Sequence, residues 1–189
     1  MRIIGGIYRS RLISMPKVGG VRPTQDKVRQ AVFNMLGGLS GMRVLDLFAG
    51  SGAFGIEALS RGAGHVVFID DNAKCTGTIR ANLGSLGIQS LYYDIITETA
   101  LSGISRLEKS GKCFDIIFLD PPYHKDLARK SLINIDSCDI LAPTGLMVAE
   151  RSRDDELPEF FETLMPLKEK RYGDTIINIY RKEKWVKPR

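Results

Sequence analysis

Histidine and cysteine are scarce in this chain: two histidines, His65 and His124, and three cysteines, Cys75, Cys113 and Cys138, among 189 residues. The cysteines are odd in number, widely spaced and without a CxxC pair. That pattern excludes a disulfide framework and offers too few clustered soft ligands for a zinc site, so reduced structural thiols and no metal are expected. No apolar run approaches the roughly 20 residues that cross a bilayer. The opening Met1-Arg2-Ile3-Ile4-Gly5-Gly6 lacks a signal-peptide cleavage pattern, so a cytoplasmic protein without a membrane partner is expected. Internal repeats and low-complexity stretches are missing too, which argues against a solenoid or a disordered tail protein.

What remains is ordinary globular material, 43% hydrophobic and 26% charged. A chain of this length can bury roughly 70% of its unfolded surface and needs no covalent staples. Its charge is unevenly spread. Residues 1–30 carry seven basic side chains against Asp26 alone, net +6; residues 168–189 carry eight against three, net +5; the middle is −6. An acidic body with basic ends fits a polyanion gripped by the termini, or simply solvated ends.

The most telling stretch is Phe114-Asp115-Ile116-Ile117-Phe118-Leu119 followed by Asp120-Pro121-Pro122-Tyr123. The near-continuous apolar run predicts a strand buried on both faces, as inside a parallel sheet. Neither proline can donate to a ladder, so pairing stops there. A carboxylate, a proline carbonyl and a ring are thereby left at the carboxyl edge of the sheet, where α/β folds bind ligands. Asp120 and the Pro121 carbonyl can accept both N–H groups of a planar exocyclic amine, turning its lone pair outward, while Tyr123 stacks on the base. Prolines hold these acceptors in place before reaction. The plainer alternative is a strand exit whose Asp caps a turn.

Arg43–Phe48 predicts the first strand of the main sheet, leading into Ala49-Gly50-Ser51-Gly52-Ala53-Phe54-Gly55 and a helix that ends near Arg61. Gly50-x-Gly52-x-x-Gly55 is formally a dinucleotide fingerprint, with Asp70 twenty residues past Gly50 after a second strand, His65–Ile69. Asp46 argues against a pyrophosphate here, since a carboxylate beside one would be repelled. Beside a cationic amino or sulfonium group it is welcome, so the loop suits S-adenosylmethionine better than NAD. Asp70 can accept ribose hydroxyls. A third strand, Ser90–Tyr93, places Asp94 at its end to accept from an adenine amine, with Ile95 packing on the ring.

Elsewhere, alternation over Ile7–Ile13 predicts an edge strand or hairpin with Arg9 and Arg11 on one face, suited to a phosphate backbone or to blunting an edge. Thr24 predicts an N-cap for a helix whose core stripe is Val28, Ala31, Val32, Met35 and Leu36, leaving Lys27, Arg29 and Gln30 off it. Arg22 and Arg29 are candidate phosphate contacts. Further helices are predicted over 72–86, with Asn72 or Asp71 as cap, and over 97–110, 126–135 and 157–164. Strands are predicted at Leu146–Glu150 after the Pro143-Thr144-Gly145 turn, and as a terminal hairpin, Lys168–Tyr172 with Thr175–Arg181.

Taken together, Asp46-Leu-Phe-Ala-Gly-Ser-Gly, the acid after strand two and Asp-Pro-Pro-Tyr resemble class I S-adenosylmethionine-dependent methyltransferases acting on amino nitrogens. Arg2-Ile-Ile-Gly-Gly, Arg22-Pro-Thr, Arg29 through Phe33-Asn-Met-Leu, and Arg171-Tyr-Gly-Asp-Thr resemble the RsmD type, which methylates guanine N2 in small-subunit ribosomal RNA. The resemblance implies an α/β Rossmann-like fold, a seven-stranded mostly parallel sheet of order 3-2-1-4-5-7-6. Three segments follow: a basic strand-and-helix extension over 1–38, the methyltransferase domain over 39–182 and a basic tail over 183–189. It implies that Asp46, Phe48, Ala49, Gly50, Ser51 and Gly52 hold the methionine part of the cofactor, Asp70 and Asp71 its ribose side, and Asp94 and Ile95 its adenine. Asp120, Pro121, Pro122 and Tyr123 would hold the base, and Arg9, Arg11, Arg22, Thr24 and Arg29 the RNA. The product cofactor would be S-adenosylhomocysteine, the partner 16S rRNA or the small ribosomal subunit, and the protein a monomer. Asp70-Asp71 departs from the Glu-Lys expected there and makes that edge more acidic. Adenine-N6 methylation of DNA, or a non-catalytic nucleotide- or RNA-binding module, are the alternatives.

Overall fold

Alternate residues of the central strands serve two opposite cores, and this organises the molecule. In the computed structural model, which describes residues 1–18, 26–122, 126–158 and 160–183, seven strands form one sheet of order β3-β2-β1-β4-β5-β7-β6. They are β1 (Arg43–Leu47), β2 (His65–Asp70), β3 (Tyr93–Thr97), β4 (Phe114–Leu119), β5 (Leu141–Ser152), β6 (Leu164–Tyr172) and β7 (Thr175–Lys182). The first five pair in parallel, and β7 runs antiparallel between β5 and β6. Val44, Phe68 and Phe118 face a core built with α1 (Asp26–Leu36), α2 (Ala53–Ser60) and α3 (Ala73–Ser85). Their neighbours Leu45, Ile69 and Leu119 face a second core with α4 (Ala100–Lys109) and α5 (Leu127–Ser137). Two-sided burial is why these strands read as unbroken apolar runs.

The order matches the expected one, and β1, β2, β4 and the β6–β7 hairpin lie where the sequence places them, within a few residues. Several local expectations are corrected. Ile7–Ile13 is not one extended strand: Gly6 (φ 75°) and Ser10 (φ 67°) reverse the chain. A single antiparallel bridge, Arg2 to Leu12, closes the arm. Arg9 and Arg11 are exposed there but do not share a strand face. In α1 the buried face is Val28, Arg29, Val32 and Phe33, whereas Ala31, Met35 and Leu36 are only half-buried.

Ser90–Tyr92 is one 3-10 turn, and β3 begins at Tyr93. Asp94 and Ile95 consequently lie inside the strand, opposite Val67 and Phe68, and the strand's true exit is Thr97-Glu98-Thr99. Alternation cannot set the phase of so short a strand; its pairing with β2 does. α4 starts only after Thr99, whose hydroxyl caps it. β5 begins at Leu141 and runs through Pro143-Thr144-Gly145 as an irregularity in its pairing with β4. The helix expected over 157–164 is absent among the described residues. Pro158 lacks an N–H, and the Asp136 carboxylate accepts instead from the amides of Glu162 (2.7 Å), Thr163 (2.7 Å) and Leu164 (3.0 Å). Arg22, Thr24, Tyr123 and residues 184–189 fall outside the described residues.

Candidate active site

The loops leaving β1, β2 and β4 meet at the carboxyl edge of the sheet and are tied together by main-chain hydrogen bonds. Ala49 N–H donates to the Ile69 carbonyl at 3.0 Å, and Asp120 N–H to the Leu47 carbonyl at 3.5 Å. Strand register alone brings Leu47 beside both Ile69 and Leu119. Asp120 is half-buried, Pro121 buried and Pro122 exposed. Phe118, two residues earlier, stacks on Phe54 of α2 at 4.9 Å and leans on Phe33 of α1 at 5.5 Å. An aromatic cluster of this kind fixes the end of β4 against the start of α2.

The glycine loop reverses through Gly52 (φ 78°), a left-handed conformation that other residues rarely adopt. Gly55 answers a different need: a Cβ there would lie 2.2 Å from Phe68 Cε1. The third glycine is therefore required for helix–strand packing, not for ligand contact. Phe48 holds φ 59°, a strained value for a bulky side chain. It lines an open cleft together with Ile69, Asp70, Asp71, Thr99, Ala100, Leu101 and Leu127. This cleft lies between the ends of β1 and β2 and the starts of α4 and α5.

Within it, the Asp70 carboxylate accepts from Gly50 N–H at 2.8 Å and from Asn72 N–H at 2.9 Å. A carboxylate has about four lone-pair directions, so beside these two amides and the neighbouring Cys75 thiol it can still accept from a hydroxyl donor. One phenyl and several aliphatic walls beside two carboxylates suit a nucleoside, whose ring is apolar on its faces and whose sugar presents hydroxyls. Anionic phosphates would meet Asp70 and Asp71 and be repelled. The residues present thus fit the adenosine part of S-adenosylmethionine.

Other expected site residues lie elsewhere. Asp94 is away from the cleft, paired with Lys112 Nζ at 3.1 Å and 3.9 Å from His65 Nε2. Of the residues that follow the strand, Thr99, Ala100 and Leu101 line the cleft. Arg29, expected to face a phosphate, is 1% exposed. Its guanidinium donates to Asp26 at 3.1 Å and to the Arg2 carbonyl, and sits 3.9 Å from Glu57. Burial lowers its pKa while Asp26 and Glu57 oppose that shift. An arginine so enclosed cannot also reach RNA. Leu101 and Leu127 of the cleft, and Glu57, carried no motif, although a lone acid inside the apolar run Ala53–Ser60 is the kind of signal that marks a buried partner.

Asp46 is buried beneath the glycine loop. Its carboxyl is 1% exposed and accepts from Gly55 N–H at 2.9 Å. Burial pushes its pKa up to about 8, with the Gly55 hydrogen bond opposing and the Asp70 charge adding. Near neutral pH it is largely protonated and braces the first turn of α2 from behind the loop. Since the unfolded carboxyl titrates near 3.8, the folded state holds a proton that the unfolded chain has lost between those values. Stability should therefore fall as pH rises toward 8, by up to about 1.4 kcal/mol per pH unit from this group. Urea denaturation of wild type and Asp46→Asn across pH 5–9 checks this; parallel profiles would rule it out.

Comparison with known proteins gives consistent relatives. Residues 1–181 match the family model described as Conserved hypothetical protein 95. YlbH of Bacillus subtilis, named as a candidate rRNA methyltransferase, is 40% identical over 96% of this chain and 99% of its own. The ribosomal RNA small subunit methyltransferase D of Haemophilus influenzae is 33% identical over 96% of this chain and 93% of its own. Among solved structures, yhhF from Escherichia coli superposes with a TM-score of 0.84 at 30% identity, covering 98% of this chain and 99% of that one.

Proposed function

The chain belongs to the family described as Conserved hypothetical protein 95, the RsmD-type S-adenosylmethionine-dependent methyltransferases, and we propose that it methylates the exocyclic N2 amine of a guanine in 16S rRNA. The observation that carries this reading is the junction of the Asp120-Pro121-Pro122 exit with the nucleoside cleft: Asp120 N–H reaches the carbonyl of Leu47, directly before Phe48. An amine acceptor and a cofactor wall are held on adjoining loops.

S-adenosylmethionine supplies an electrophilic methyl on a sulfonium. The chain's own residues do the positioning. Asp70 would receive the ribose hydroxyls, and its bonds from the Gly50 and Asn72 amides keep the loop in place. Phe48, Thr99 and Leu101, which line the cleft, would hold the adenine. Asp120 and the Pro121 carbonyl accept the two N–H groups of the amine and favour a pyramidal nitrogen. Asp120 receives a proton only as the new C–N bond forms, since the neutral amine is a very weak acid. Tyr123 stacks on the base, and Arg9 and Arg11, exposed on the arm, meet the phosphate backbone together with Arg22 and Thr24. The protein would act as a monomer on rRNA or on the small ribosomal subunit. No helix among the described residues is long and apolar enough to cross a membrane.

The test is methyl incorporation from labelled S-adenosylmethionine into small subunits purified from cells lacking the gene, with the modified nucleotide mapped by mass. N2-methylguanosine in 16S rRNA is expected. Labelling of duplex DNA at adenine instead, or of neither substrate, would overturn the reading.

A further inference from the structure

One buried side chain joins the cofactor loop to the N-terminal arm. Asn82 of α3 is 3% exposed. Its Oδ1 accepts from Ser14 N–H at 2.8 Å, and its Nδ2 donates to the Ser14 carbonyl at 3.0 Å and to the Ser51 carbonyl at 3.0 Å. One acceptor and two donors are all used, a set that only a carboxamide supplies. Aspartate would turn acceptors toward two carbonyls, and alanine would leave the Ser14 amide and the Ser14 and Ser51 carbonyls without this partner.

Both ends of this link are themselves anchored. Ser51 follows Gly50, whose amide is held by Asp70. Ser14 follows Ile13, which is buried and donates to the Met1 carbonyl at 3.0 Å. Ile3 N–H donates to Arg11 and Ser10 N–H to Ile3, at 3.0 and 2.9 Å. A restraint applied at Ser14 thus extends through a closed arm to Arg9 and Arg11. The unbroken sequence of contacts runs from Asp70 to Gly50, Ser51, Asn82, Ser14 and the arginines.

We propose that Asn82 is a positioning residue that couples cofactor binding to the RNA-facing arm. Nucleoside hydroxyls on Asp70 fix the loop, the loop fixes Asn82, and Asn82 fixes the arm before RNA arrives. By linkage, RNA on the arm tightens cofactor binding by the same factor. The proposal rests on the methyltransferase reading of the cleft.

Hydrogen exchange of the full chain, with and without S-adenosylhomocysteine, tests it, with calorimetry reporting binding of that same probe. In wild type the probe should slow exchange across residues 1–14 by roughly fivefold or more, the lower end of usual allosteric couplings. In Asn82→Ala the probe should still bind, while the ratio of arm exchange with and without it falls to one. A merely structural asparagine would speed arm exchange in both states and leave that ratio unchanged. Ser14→Pro removes the N–H donor to Asn82 from the arm side without substituting a residue of α3 or the loop, keeps the Ser14 carbonyl as acceptor, and should diminish the response. A wild-type arm indifferent to bound probe, or an undiminished ratio in either folded variant, would overturn the coupling. Wild type that binds no probe in calorimetry would instead overturn the cofactor reading and the coupling with it.

Discussion

Asp120→Ala should lower the single-turnover rate of methyl transfer by roughly 10²–10⁴-fold, the range for one positioned acceptor or acid/base group. Binding of S-adenosylhomocysteine should stay within a few-fold of wild type. The two effects separate because Asp70, Asp71 and Phe48 line the cleft, whereas Asp120 stands on the adjoining loop, hydrogen-bonded through its main chain to Leu47. The Asp120 amide is unaffected by the substitution, so the end of β4 remains clamped by Phe118 against Phe54. Asp120→Asn keeps an oxygen acceptor but brings an NH₂ that opposes the amine, and should recover only part of the rate. Rapid-quench kinetics with saturating cofactor decide the matter. Turnover near wild type in Asp120→Ala would remove the assigned role.

The largest effect on stability is expected at Glu57, which lies far from any reacting atom. Its carboxylate is 1% exposed and accepts from Ile4 N–H and Gly5 N–H, both at 2.7 Å, and from Arg61 Nε at 2.8 Å, with Arg29 Nε at 3.9 Å. Glu57→Ala leaves two amides without their acceptor and the buried Arg29 with only Asp26 as a counter-charge. Breaking a buried pair from one side costs about 3–5 kcal/mol, which for a chain of this size lowers Tm by about 10 °C. Glu57→Gln keeps one acceptor oxygen and should lose less. The arm should also become the first site of proteolytic cleavage in Glu57→Ala, because the amides of residues 4 and 5 lose their bonds to the Glu57 carboxylate. Calorimetric unfolding together with timed proteolysis measures both, and a loss under about 1 kcal/mol would contradict the account.

These two residues show what kind of information each level holds. Asp120 was legible because its meaning is local: an apolar strand must end at two prolines, and the acid before them must then stand at the sheet's carboxyl edge. The glycine loop and Asp70 were legible for the same reason, as was the order of the sheet through the resemblance those motifs carry. Glu57, Asn82 and Arg29 were not. Each is polar, lies on a helix and is buried only because a segment at least 27 residues away supplies its partner.

Asp94 marks the same boundary from the other side. A strand was expected before it, over Ser90–Tyr93, but β3 runs Tyr93–Thr97, and this shift puts Asp94 inside the strand, in a salt bridge with Lys112. Hydrophobic periodicity and backbone-restricting residues are written along the chain, so the sequence by itself determined most of the central strands and the stop of β4 at its two prolines. Which polar groups would be buried, which strand residue would reach the edge, and how the arm would meet the loop depend on distant partners, because a buried charge or amide is stable only where another segment completes its hydrogen bonds. That completion was decided by the tertiary structure alone.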